Sequence, residues 1–115
     1  MKEFKLIINN NYKKKEKEIF FVKKELQSIL NLYSKMVSNG TWKDYSLSAG
    51  SKEISFDVYQ RASDKPVLRI LKKFKPYNFN EKFIIKDKHG NIIEKSENLN
   101  SLITKTRWNK LKIVK

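Results

Sequence analysis

The chain contains no cysteine, which excludes disulfide bonds, thiolate metal sites and a thiol nucleophile. Glycine occurs three times and proline twice in 115 residues. So few glycines leave no place for a glycine-rich loop that cradles phosphates. Histidine occurs once, at His89 beside Gly90, where it reads as a turn residue. A metal site needs several ligands at set spacing, and one histidine with scattered carboxylates does not supply them. No apolar run approaches the roughly 20 residues of a membrane-spanning helix. The apolar patch Phe4, Leu6, Ile7 and Ile8 is too short for a signal-peptide core. The lack of cysteine fits a reducing compartment, so a cytoplasmic protein without a membrane span is expected.

Acidic side chains are also scarce. Lys and Arg number 26 against 12 Asp and Glu, a formal charge of +14. Such a surplus points to a polyanionic partner. Part of it has a simpler source, because 23 of the basic residues are lysine and asparagine occurs 11 times. Lysine, asparagine and isoleucine are the residues that AT-rich coding favours. Against that background the three arginines, Arg61, Arg69 and Arg107, carry more information. Each is expected where a planar, bidentate fork matters, whether against a carboxylate inside the fold or against a ligand.

Residues 1–17 form a basic N-terminal arm with six lysines and two glutamates, after a short predicted strand over Phe4 to Ile8. Residues 18–115 read as one domain, a size that buries roughly two thirds of the unfolded chain's surface. From Glu18 to Asn39, the residues Ile19, Val22, Leu26, Ile29, Leu30, Tyr33, Met36 and Val37 recur in steps of three and four. That spacing predicts an amphipathic helix, with Phe20 and Leu32 off its main stripe and Gly40 as its stop. After Gly40 the period becomes two. Strands are predicted over Trp42 to Leu47, Lys52 to Gln60, Val67 to Phe74, Phe83 to Asp87 and Asn91 to Lys95. In the second of these, Ile54, Phe56 and Val58 share one face and Glu53, Ser55 and Asp57 the other. Asp57 and Asp87 are expected on outward, solvated faces. Lys88, His89 and Gly90 form a tight hairpin, and Asn98 caps a helix over Leu99 to Trp108. A final strand is predicted at Leu111 to Val114. The class is α+β: an N-terminal helix packed on an antiparallel sheet of about five strands, a short C-terminal helix and a last strand.

Residues Glu25, Leu26, Ile29, Leu30, Tyr33, Met36, Val37 and Gly40, then Trp42, Asp44 and Tyr45, carry a resemblance. Phe56, Val58, Arg61, Ala62, Ser63, Pro66, Leu68, Arg69 and Ile70 are its most specific part. In these positions the chain resembles an alphaproteobacterial family of small proteins, domain of unknown function 2794, from about Phe21 onward. The resemblance implies a single unit and no assigned activity, substrate or cofactor. Before the second helix the chain has Lys95, Ser96 and Glu97, where the resemblance implies a basic residue, glycine and histidine.

No catalytic constellation is present. Ser63 beside Arg61 lacks a base, and the carboxylates are dispersed, so the chain is not expected to be an enzyme or to hold a metal or cofactor. The stretch from Arg69 to Phe79 interleaves lysines with Phe74, Tyr77 and Phe79. Cations neutralise phosphates and aromatic faces stack on bases, which suits single-stranded RNA or DNA. The candidate nucleic-acid-binding residues are Arg61, Arg69, Lys72, Lys73, Lys75 and Tyr77. The alternative is a protein-interaction or accessory subunit, presenting a sheet edge or the long helix to a partner or to a second copy of itself. Exposure of Phe20 and Leu32 on that helix would favour it.

Overall fold

A computed structural model describes residues 20–61, 65–106 and 108. The predicted arm over residues 1–17 and the predicted strands at Phe4 to Ile8 and Leu111 to Val114 lie outside them. In chain order the elements are α1 (Lys23–Ser38), β1 (Asp44–Ala49), β2 (Glu53–Tyr59), β3 (Leu68–Lys73), a 3-10 turn (Phe79–Glu81), β4 (Phe83–Asp87), β5 (Ile92–Ser96) and α2 (Leu99–Lys105). The five strands form one antiparallel meander, ordered in space as in the chain. This is the α+β architecture expected from the change of hydrophobic period.

Helix α1 starts where the Glu25 carboxylate accepts the backbone N–H of Val22 at 2.8 Å, satisfying a donor that the first turn leaves open. It stops at Gly40, whose φ of +83° lies in the left-handed region. The N–H groups of Gly40 and Thr41 there return to the carbonyls of Val37 and Met36, as in a Schellman cap. The buried centre of the helix is Ile29, Leu32 and Met36. Leu32, read from spacing as lying off the main stripe, is therefore core, while Val37 at the last turn is 39% exposed. Leu26, Leu30 and Tyr33 flank the centre half-buried, and Phe20 packs against the same core. The apolar arc is wider than one stripe, and contact with the sheet selects its middle.

Ile54, Phe56 and Val58 of β2, Leu68 and Ile70 of β3, and Phe83 and Ile85 of β4 form the sheet side of the core. Leu99 and Leu102 of α2 join them, which sets both helices on this one face. Phe56 is its hub. Tyr45 stacks on it at 4.6 Å and Tyr33 of α1 meets it edge-on at 5.9 Å. Burial pushes the Tyr33 hydroxyl pKa up, and Asp44 and Tyr45 add to the shift. Asn98 caps α2 by accepting the Ser101 N–H at 3.0 Å. The helix ends at Lys105, three residues before the predicted Trp108, because the Thr106 hydroxyl turns back to the Leu102 carbonyl at 2.7 Å. Trp108 then packs edge-on against Trp42 at 5.8 Å.

Lys72 breaks the apolar pattern of the core face. It shares that face with Leu68 and Ile70 and is 2% exposed. Its ammonium donates to the Glu25 carboxylate at 2.9 Å and to the Phe20 carbonyl at 2.8 Å, tying β3 to the start of α1. A buried cation stripped of its carboxylate is costly.

Glu25→Ala is expected to destabilise the fold by about 3 kcal/mol. Adding Lys72→Met should recover the part due to a buried ammonium that has lost the Glu25 carboxylate, but not the lost cap at Val22. Urea unfolding of the single and double variants separates the two parts. At Gly40 an added Cβ would meet nothing within 4 Å. Gly40→Ala is therefore expected to cost only the left-handed backbone penalty, about 1 kcal/mol, read as a lower urea midpoint with an unchanged slope.

Candidate nucleic-acid interface

The sheet face opposite the helices is defined by strand register. Asp57 lies directly across from Arg69, and Arg69 across from Lys86. In the next row Ser55 faces Leu71, and Leu71 faces Ile84. Leu71 and Ile84 are both buried on this face, as are Ser55 and Asp57. Asp57 was expected to be solvated; it is 4% exposed instead. A carboxylate out of water requires charge and hydrogen-bond partners. Asp57 has both. One oxygen accepts from Arg69 Nε at 2.9 Å and from the Ser55 hydroxyl at 2.8 Å, and the other accepts from the Ser48 hydroxyl at 2.7 Å. Arg69 Nη2 also donates to the Ser55 hydroxyl at 3.0 Å. The guanidinium is thus held by two residues of β2, while its side chain stays 37% exposed.

The six candidate residues do not converge on one patch. Arg69 lies in this sheet face. Arg61 is exposed just beyond β2, and Arg107 lies outside the described residues. Lys72 is committed to Glu25 within the core. Lys73, half-buried at the end of β3, and Lys75, exposed just after it, flank the connection to β4. That connection presents Tyr77 at 97% exposure and Phe79 at 76%. Phe74, at the end of β3, packs against the core, whereas Tyr77 and Phe79 stay in water. The sequence reading also passed over Lys65, Lys86 and Lys88, which the fold gathers beside Arg69. No local motif marks them. Only the pairing of β3 with β4 does, because it sets Lys86 opposite Arg69.

The β4–β5 turn has its own electrostatics. One Asp87 oxygen accepts the backbone N–H groups of His89 and Asn91, each at 2.9 Å, and Gly90 takes a φ of +85°. Burial alone would raise the Asp87 pKa, but those two N–H groups and the nearby His89 together hold it below the ordinary 3.8. A carboxyl depressed in the folded state contributes stability above its unfolded pKa and loses it as pH falls through the folded value. Thermal midpoints are therefore expected to drop as buffer is acidified below 3.8. Asp87→Asn should show a smaller acid-dependent drop, checked by paired melts in neutral and acid buffer.

Among the described residues no group of three or more His, Asp or Glu side chains is placed to hold a metal ion. No helix among them is long and apolar enough to cross a membrane. No curated protein and no solved structure matches the chain. A family model does match, over residues 19–103, which spans α1 through most of α2 and includes Arg61, Arg69, Lys72, Lys73, Lys75 and Tyr77. With that much of the chain covered, it belongs to the family described as Protein of unknown function (DUF2794).

Proposed function

We propose that this protein is a non-catalytic cytoplasmic module that binds single-stranded RNA or DNA. The observation that carries the reading is the connection between β3 and β4. Tyr77 and Phe79 stand out of the surface there, at 97% and 76% exposure, with Lys73 before them, Lys75 between β3 and Tyr77, and Lys82 after them. Large aromatic rings left in water beside cations suit base stacking with backbone neutralisation, and neither contact requires a particular base. The lysines act as point charges along the phosphates, and each one engaged releases condensed counterions. Lys72 has no part in this reading, because its ammonium is spent on Glu25 and Phe20.

The alternative, a protein-interaction or accessory subunit, does not gain the helix surface expected for it. Leu32 is buried and Phe20 is packed on the core. Its support is instead Ile92, 52% exposed on β5, the edge strand among the described residues, where a strand edge can accept another.

Fluorescence anisotropy with labelled single-stranded oligonucleotides parts the two readings. Binding is expected at low salt and should weaken linearly on a log–log salt plot. Tyr77→Ala and Phe79→Ala should each weaken binding about tenfold without changing that slope. Lys73→Gln and Lys75→Gln should each flatten the slope by about 0.7. Absence of binding at low salt, or indifference to both aromatic substitutions, rejects the single-strand reading.

A further inference from the structure

At the opposite end of β3 and β4 from Tyr77 and Phe79, a cleft of about 380 Å³ opens between Lys65 and Pro66, ahead of β3, and the β4–β5 turn. Lys65, Arg69, Lys86, Lys88 and His89 line it, together with the carboxylates of Asp57 and Asp87. Both carboxylates are already engaged. Asp57 accepts from Arg69, Ser48 and Ser55, and Asp87 holds the backbone of its own turn. None of Lys65, Lys86 and Lys88 forms an ion pair with a described residue. Among the described residues, therefore, four cationic side chains face two carboxylates, and neither carboxylate is paired with a lysine.

The register makes this arrangement costly without a ligand. Arg69 and Lys86 sit directly opposite each other on neighbouring strands, where like charges repel. Asp57 relieves Arg69 from the β2 side and forms no ion pair with Lys86. An anion in the cleft would relieve both. Arg69 is also pre-oriented: Nε and Nη2 are fixed by Asp57 and Ser55, and the rest of the fork has no hydrogen bond to a described residue. A planar fork held in place beside mobile point charges is the arrangement that receives a tetrahedral oxyanion. The surplus of cations matches the charge of a phosphomonoester near neutral pH, about −1.5 to −2.

We propose that this cleft is a binding site for a phosphate dianion, with Arg69 as the forked contact and Lys65, Lys86 and Lys88 as the neutralising charges. The site is spatially separate from the Tyr77–Phe79 connection and does not depend on the single-strand reading.

The test is calorimetric titration of the full chain with inorganic phosphate at fixed ionic strength, sodium chloride making up the balance. Saturable one-site binding is expected. Lys86→Gln combined with Lys88→Gln should weaken it by tenfold or more. Because that variant removes like-charge repulsion, its thermal midpoint should not fall. Arg69→Lys keeps a cation beside Asp57 but loses the fork, and should weaken phosphate by about tenfold. Two competition arms identify the source of the phosphate. Displacement by a 5′-phosphorylated oligonucleotide, and not by its 5′-hydroxyl counterpart, supports the site with a strand end as ligand. Displacement by a small sugar phosphate alone supports it with a free phosphomonoester as ligand. Absence of saturable heat, or titrations unchanged in the double lysine variant, overturns the proposal. The Tyr77→Ala chain should titrate phosphate as the parent does, so this site and the stacking site fail independently.

Discussion

A carboxylate placed on a strand between two other strands, and then taken out of water, constrains everything around it. Asp57 is that group. Its burial is tolerable only because Arg69 faces it across the β2–β3 pairing and two serines donate to its oxygens as well. The serines come from β1 and from β2 itself, so one carboxylate joins three adjacent strands. The same demand decides the orientation of Arg69, and through the next pairing it leaves Lys86 beside a cation with no anion of its own. A requirement that begins as desolvation ends as a basic cleft.

Much of the architecture was legible because the period of the apolar residues reports backbone geometry directly. The change from steps of three and four before Gly40 to steps of two after it marks the passage from helix to sheet. Gly40 and Gly90 mark turns because both take the positive φ that glycine alone adopts without penalty. What spacing does not report is cover. Alternation separates Ser55 and Asp57 from Phe56 and Val58, yet all four are buried. The rule that the polar face of a strand is the wet face fails at β2. It fails for Lys72 in the other direction, since a lysine on the apolar face was read as a surface cation. Its partner Glu25 lies 47 residues away, beyond the reach of any local pattern.

The lysine-rich composition therefore divides into unlike populations once the fold is known. Lys72 is a structural strut, and Lys95 and Lys105 sit in half-exposed pairs with Glu81 and Glu94. Such exposed pairs add little to stability. Of the cations that remain among the described residues, Lys23, Lys24 and Lys35 lie along α1, Lys73, Lys75 and Lys82 lie beside the exposed rings at one end of β3 and β4, and Lys65, Lys86 and Lys88 lie around Arg69 at the other. Coding bias explains how many lysines there are. It does not explain why those near Arg69 lack carboxylates while a buried one has its own. Arginine was the better guide, for the planar fork of Arg69 reaches Asp57 through Nε and Ser55 through Nη2 at once.

The order of the sheet has a kinetic side. Strands that are neighbours in space are neighbours in the chain, so each pairing closes a local loop, over residues 50–52 and 88–91 for the outer pairs and over residues 60–67 and 74–82 for the inner ones. The entropy of closing such short loops is small, and sheets built from local pairings assemble faster than those that wait for distant strands. The helix is the exception. Its tie to Lys72 spans 47 residues and has no partner until β3 is in place, so the meander can form ahead of the layer that covers it.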